Sequence, residues 1–277
     1  MAALMPFTVA QVSDTHLGAR TLLFRSNFDR VAAMLTELRP DLVVATGDLS
    51  LDGADHDADL EFAAASFRAL PGPVHAVPGN HDVGDHPARA PQQPVDDERL
   101  QRFRRHMGAD RWVVDRGNWR LIGLNSQIMG AHPDEALQAG MIEDALATLG
   151  DRRIAVFIHK PFFAADPDEA TFDYWSVPPF ARAPLRPLLM HPNLRLVASG
   201  HLHLHHETTR GGVRFAWAPA VSFIVTPDEQ PGQPGTRPCG TLLHRFGDDA
   251  VETTLLEPAS MERPFIHEIR NQAYPAA

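Results

Sequence analysis

Cysteine is almost absent from this chain: Cys239 is the only one. One cysteine excludes an internal disulfide and a thiolate zinc site, and the simplest setting for it is a reducing compartment. Positive charge is short as well. Lys and Arg number 25 against 35 Asp and Glu, a formal net charge of -10. A nucleic-acid backbone demands clustered cations, so no nucleic-acid polymer is expected as partner. A small anion stays open, because bound metal ions supply local positive charge. No apolar run reaches the roughly 18 residues of a membrane span. The start, MAALMPFTVAQVSD, has no basic region ahead of a long apolar stretch and a cleavage site. No signal peptide and no membrane partner are therefore expected, and a cytoplasmic protein is the default. Internal repeats and low-complexity tracts are missing too.

What the chain has is apolar bulk and histidine. Its 277 residues are 44% hydrophobic, which suits one large domain or a domain with a small appendage. Histidine numbers 15 and proline 24. Excess histidine has a bland reading in surface loops and a sharper one in metal ligation, and position decides between them. Phe7 to Val12 reads as a strand, and Leu42 to Ala45, Val74 to Val77, Ile154 to Ile158 and Leu194 to Ala198 as short buried strands. Amphipathic helices are predicted over Ser26 to Leu38, Leu60 to Leu70, about Glu98 to Met107 and Leu137 to Leu149. Ser26 and Asp29 resemble a capping box. Leu137, Met141, Ala145 and Leu149 align on one helix face. Trp112–Val114 and Arg120–Leu124 read as a hairpin, and Phe215–Val225, Thr241–Phe246 and Val251–Leu256 as later strands.

Each of the five buried strands runs into polar residues: Asp14-Thr15-His16, Gly47-Asp48, Gly79-Asn80-His81-Asp82, His159, and Gly200-His201-Leu202-His203. Binding sites of α/β proteins gather at the carboxyl ends of strands. Any one of these pieces alone is more simply a core or surface residue; together, each at a strand end, they are not. Imidazole and carboxylate suit zinc, iron and manganese. A two-metal site holds its ions about 3.5–4 Å apart and needs a carboxylate between them. Asp48, alone on its loop behind a glycine, is the natural bridge. Strand alternation is expected to put Asp14 with His16, and His201 with His203, on a common side.

In the order D-x-H, G-D, G-N-H-D, H, G-H-x-H, these motifs resemble those of the calcineurin-like metallophosphoesterase superfamily, from Asp14 to His203. The resemblance implies an α/β fold, a four-layer αββα sandwich of two mixed β-sheets flanked by helices, with a dimetal site at the strand ends. It implies a first metal on Asp14, His16, Asp48 and His203, and a second on Asp48, Asn80, His159 and His201. The metals would be two divalent or trivalent ions drawn from Mn, Fe, Zn or Co. It assigns His81 a catalytic role beside the phosphate, with Asp82 expected to hold the imidazole's tautomer. The implied reaction is in-line attack of a metal-activated hydroxide on phosphorus.

Within the superfamily, protein Ser/Thr phosphatases resemble G-D-x-V-D-R-G and G-N-H-E; this chain has Gly47-Asp48-Leu49-Ser50-Leu51-Asp52-Gly53 and Gly79-Asn80-His81-Asp82. The Ser13–His16 start and His159-Lys160-Pro161 resemble the bacterial branch of cyclic nucleotide phosphodiesterases and glycerophosphodiesterases. Lys160 departs from a second histidine often found there; it either contacts substrate or points to solvent, and solvent is expected. Tyr174 and Trp175 either stack on a nucleobase or seal a loop. A phosphodiesterase acting on small diesters is thus the leading reading, with a cyclic nucleotide the first guess. A phosphomonoesterase or phosphonate-ester hydrolase is the runner-up, and a non-catalytic scaffold the reading from another class. The domain is read as residues 1–226. Residues 227–277 are read as a C-terminal extension: a β-hairpin, a lid, or a dimer contact of a homo-oligomer. The acidic run Asp52, Asp55, Asp57, Asp59 is expected to be solvated.

Overall fold

The computed structural model describes residues 6–274. Its elements, in chain order, are β1 (Phe7–Val12), α1 (Arg25–Leu38), β2 (Leu42–Thr46), α2 (Asp57–Arg68), β3 (Val74–Val77), α3 (Asn80–Val83), α4 (Asp97–Met107), β4 (Trp112–Arg116), β5 (Trp119–Leu124), α5 (Asp134–Ala147) and β6 (Arg153–Ile158). They continue as α6 (Arg186–Leu189), β7 (Leu194–Ser199), β8 (His206–Arg210), β9 (Val213–Trp217), β10 (Thr241–Phe246), β11 (Val251–Leu256) and α7 (Ile266–Ala273).

Two mixed sheets result, one ordered β11-β10-β1-β2-β3 and the other β4-β5-β6-β7-β9-β8. Side chains of a strand point alternately to opposite faces, and both faces here are covered. Phe7 and Val9 of β1 and Leu42 and Val44 of β2 meet Ala155 and Phe157 of β6 in the layer between the sheets. The alternate residues Ala10, Val12, Val43 and Ala45 pack on Val31 and Leu35 of α1 and Leu60 and Phe67 of α2. On the far side Ile154, Val156 and Ile158 pack on Ile142 of α5 and Leu188 of α6. The fold is the four-layer sandwich that two doubly covered sheets require, and burial on both faces explains why these strands read as continuous apolar runs.

The structure corrects four local expectations. Ser26 makes no capping box. The helix starts at Arg25 with no side-chain cap, and Ser26 Oγ donates instead to Glu262 at 2.7 Å. The buried face of α5 is Gln138, Ile142 and Ala145, while Leu137 is exposed. The strand expected over Phe215–Val225 stops at Trp217; Pro219 lacks the N–H a ladder needs, and the chain turns over the end of β1, where Val221 N–H donates to the Ser13 carbonyl at 3.1 Å. Asp59 is fully buried rather than solvated, because the Ala19 N–H at 2.8 Å and the Arg20 guanidinium satisfy its carboxylate.

Residues 227–274 of the expected extension enter both the sheet and the site. β10 pairs antiparallel with β1, with Phe7 opposite Phe246, and β11 pairs with β10. α7 is pinned near the site where the backbones of Ile224 and Ile266 bond at 3.0 Å.

Candidate metal centre

β1, β2, β3, β6 and β7 end at one rim. Asp14, His16, Asp48, Asn80, His159, His201 and His203 converge there, all buried. Strand alternation does not do the aiming, because each pair lies past the end of its strand. Of the seven non-glycine residues with positive φ among the described residues, five are Asp14, His16, Asp48, His201 and His203, at φ 52°, 44°, 49°, 67° and 53°. A left-handed L-residue costs roughly 1–2 kcal/mol, and such strain concentrates at functional sites. Alternating left-handed residues turn Asp14 with His16, and His201 with His203, toward one point. Backbone bonds hold the loops: Asp14 N–H donates to the Gly47 carbonyl and His16 N–H to the Asp48 carbonyl, each at 3.0 Å. Glycine is sterically required at three turns: a Cβ at Gly47, itself at φ 88°, would overlap the His159 ring. A Cβ at Gly79 would overlap the Asp48 carboxylate, and one at Gly200 would overlap Ser13 and Asp14.

The histidine tautomers follow from their partners. A carbonyl oxygen only accepts, so the ring nitrogen facing it carries the proton. His159 Nδ1 donates to the Thr46 carbonyl at 2.7 Å and His203 Nδ1 to the Phe223 carbonyl at 2.9 Å. His201 Nε2 donates to the Tyr174 carbonyl at 2.9 Å. The opposite nitrogens are left as lone pairs. His203 Nε2 lies 3.4 Å from Asp14 Oδ1 and 3.3 Å from His16 Nε2. His159 Nε2 lies 3.4 Å from Asp48 Oδ2 and 3.3 Å from Asn80 Oδ1. Asp14 Oδ1 is buried with no hydrogen bond, although Oδ2 accepts from Ser13 Oγ at 2.5 Å and from His201 N–H at 3.0 Å. Acceptors facing acceptors around buried carboxylates are stable only with a cation between them. Three sets of donor atoms lie close enough to share one: Asp14, His16 and His203; His16, Asp48 and His81; and Asp48, His159 and His201. This buried donor set of nitrogen and oxygen fits first-row metal ions.

The electrostatics agree. Burial holds His16 and His201 well below the ordinary histidine range, the first helped by His81 and the second by Lys160. Burial works against charge on Asp48, yet His159 and His81 outweigh it and hold the carboxylate well below its usual range. Burial likewise opposes charge on His159, but Asp48 wins and lifts it to about 9. The pull that binds a proton there also binds a metal ion in its place.

The remaining expected residues divide. His81 lies at the cavity wall; its backbone N–H donates to Asp48 Oδ1 at 2.9 Å and its Nδ1 to the Leu51 carbonyl at 2.9 Å. Asp82 does not hold the His81 ring. Its oxygens accept from the N–H groups of Leu49, Ser50 and Gly79 and from Ser50 Oγ, which staples the Asp48 loop to the turn after β3. Burial, and then Asp48, raise its pKa to about 6. Lys160 does not reach solvent: it is buried, with Nζ 2.8 Å from both oxygens of Asp85 and 4.8 Å from the Tyr174 ring centre. Tyr174 Oη accepts from Asn80 Nδ2 at 3.1 Å and so turns Asn80 Oδ1 toward His159. Trp175 lines the cavity beside it.

The cavity over this cluster has a volume of about 560 Å³. Phe223, Val225, Glu229, Ile266, Arg270 and Tyr274 complete its wall, none of them singled out from sequence. For Phe223 no signal exists, since its carbonyl does the work. For α7 one does: Ile266, Arg270 and Tyr274 are spaced i, i+4, i+8, a single helix face.

Two helix-flanked sheets with carboxylates and imidazoles gathered at the strand ends define a metal-dependent phosphoester hydrolase. The calcineurin-like phosphoesterase profile matches residues 7–205, and the chain belongs to that family. It is 31% identical, over 79% of its length and 78% of the relative's, to the 3′,5′-cyclic adenosine monophosphate phosphodiesterase CpdA of Pseudomonas aeruginosa. It is 26% identical, over 79% of its length and 80% of the relative's, to a 3′,5′-cyclic-nucleotide phosphodiesterase of Nostoc. A probable glycerophosphodiester phosphodiesterase of Arcobacter nitrofigilis is 27% identical over 55% of the chain and 56% of the relative. These relatives place the chain in the bacterial branch. In fold it is similar to a purple acid phosphatase of yellow lupin, at 14% identity and TM-score 0.66, covering 94% of this chain and about half (52%) of that one.

Proposed function

We propose that this protein is a binuclear phosphodiesterase acting on small phosphate diesters, with a cyclic nucleotide as the first candidate. One metal is assigned to Asp14, His16, Asp48 and His203, the other to Asp48, Asn80, His159 and His201. The observation that carries this is the place of Asp48, whose carboxylate reaches both sets: Oδ2 lies 3.8 Å from His16 and 3.4 Å from His159. Bound there, two cations would lower the pKa of a water and take up charge on the phosphoryl oxygens. The chain's own part is to fix the donors and to supply His81. With Nδ1 tied to Leu51, the His81 ring presents Nε2 to the cavity, where the doubly protonated, cationic ring would give a proton to the leaving oxygen.

The cavity supports a diester with a flat apolar substituent. Apart from the expected metal ligands and His81, its walls include Trp175, Phe223, Val225, Ile266 and Tyr274, and its one arginine, Arg270, is paired with Glu229 at 2.9 Å. A ring of nucleobase size suits such walls better than a second charged group does. The single cysteine is buried, in keeping with a cytoplasmic protein.

The test is metal content and turnover together. Protein loaded with manganese, zinc, iron or cobalt is expected to bind two ions per chain and to hydrolyse cyclic AMP and aryl diesters faster than aryl monoesters. Asp48→Ala is expected to hold at most one ion and lose turnover by more than a hundredfold, on the scale of removing a group central to transition-state charge. A variant that kept two ions and full activity would refute the bridge. A preference for monoesters would refute the diester reading alone.

A further inference from the structure

α7 lays Ile266 and Arg270 over the cavity, and Tyr274, the residue that caps its C-terminus, stands nearest the cluster. Tyr274 Oη is 3.3 Å from His16 Nδ1, and its ring centre is 5.5 Å from that of His81 at an interplanar angle of 33°. The direction of the His16 bond can be worked out. His16 Nε2 faces His203 Nε2 at 3.3 Å and Asp48 Oδ2 at 3.8 Å, so Nε2 is the nitrogen turned to the cluster. A neutral imidazole with a ligating Nε2 carries its proton on Nδ1. Nδ1 therefore donates and Tyr274 Oη accepts. The phenol's own O–H is then uncommitted, and among the described residues it has no acceptor.

The second tyrosine provides a contrast. The chain holds only two, Tyr174 and Tyr274, and both line the cavity. Tyr174 Oη also accepts, from Asn80 Nδ2, so the two differ in place: the Tyr174 hydroxyl sits against Asn80, that of Tyr274 against His16 with its ring beside His81. Arg270, one turn back on α7, is held by Glu229, whose other oxygen accepts from Thr226. With Arg270 paired, Tyr274 offers this wall an O–H free to donate, beside His81 and above the expected metal ligands.

We propose that Tyr274 is a substrate-binding residue whose hydroxyl donates a hydrogen bond to an oxygen of the bound phosphate ester, with His16 N–H fixing the phenol from behind. No covalent bond forms or breaks at Tyr274. This assignment rests on the metal reading of His16, and the experiment separates the two. Protein carrying 3-fluorotyrosine gives two fluorine resonances, both from the site. In the zinc-loaded protein, inorganic phosphate is expected to move the resonance that Tyr274→Phe deletes.

Tyr274→Phe keeps the ring and removes the donor. It is expected to keep the zinc content of the parent, to bind inorganic phosphate about tenfold more weakly, and to lose a similar factor in kcat/KM on a diester, as a charge-assisted hydrogen bond warrants. A zinc-replete Tyr274→Phe with undiminished phosphate affinity and turnover overturns the assignment. Loss of zinc with phosphate affinity per remaining site unchanged overturns it too, since Tyr274 would then only hold His16. A parent protein that takes up no zinc, manganese, iron or cobalt sinks the metal reading, and this assignment with it.

Discussion

At the scale of single residues, the groups behind the donors matter as much as the donors. Tyr174 orders Asn80 through its hydroxyl at 3.1 Å and His201 through its carbonyl at 2.9 Å, and the Lys160–Asp85 pair packs against its ring. Partners of this kind typically tune metal affinity by about 10–100-fold. Tyr174→Phe is therefore expected to weaken one of the two metal sites by about tenfold and leave the other unchanged, as competition with a metallochromic indicator would show; equal weakening of both sites would count against the orientation of Asn80. The motif residues themselves were legible in the sequence because chemistry restricts them to histidine, aspartate and asparagine. Their supports were not. Thr46, Leu51 and Phe223 serve through backbone carbonyls, which any residue type supplies, and Asp82 reads like a catalytic partner of His81 although its carboxylate is spent on Leu49, Ser50 and Gly79.

At the scale of elements, β1, β2, β6 and β7 were legible as short apolar runs because both faces of each strand are buried. Helix faces were read less well: Leu137 fits an apolar stripe but lies on the outside, and Gln138 takes the inner place because Asn125 N–H donates to its Oε1 at 2.8 Å. β10 carries an element-level consequence in His244, which is fully buried between Gln11 and Thr253 at 2.9 and 3.0 Å. Burial depresses its pKa to about 3. Its unfolded value is about 6.5, so the unfolded chain takes the proton first. The stability that neutral His244 permits is complete above pH about 6.5 and is lost as pH falls toward about 3. His244→Gln, which keeps polar atoms at this position, is expected to flatten the pH dependence of denaturant unfolding across that window. An unchanged slope would exclude His244 as a source of acid sensitivity.

At the scale of the whole molecule, the centre draws its donors from both sheets: Asp14, His16, Asp48 and Asn80 follow strands of one, and His159, His201 and His203 follow strands of the other. Metal bound there ties the two halves of the sandwich together and binds only the folded chain. At a concentration a hundredfold above its dissociation constant one ion adds about 2.7 kcal/mol, and a chain of this size gains several degrees in Tm from that. Chelation is expected to lower the melting temperature by this amount and zinc or manganese to restore it; a melting curve indifferent to chelator would contradict a shared centre. The negative net charge was legible from composition, and the layer order came only with the family resemblance of the motifs. The path of residues 227–274 was not legible, because nothing local in Thr241–Phe246 shows that its partner lies more than two hundred positions earlier.

The pairing of Phe7 with Phe246 has a consequence for the order of assembly. During synthesis β1 is followed by its neighbour β2 within about forty residues, yet its other edge stays bare until β10 has been made. The loop that carries Asp14 and His16 grows straight out of β1. A nascent chain halted before Thr241 would therefore hold an open-edged sheet beside the loop of Asp14 and His16, so the centre gains its full support only once β10 is made.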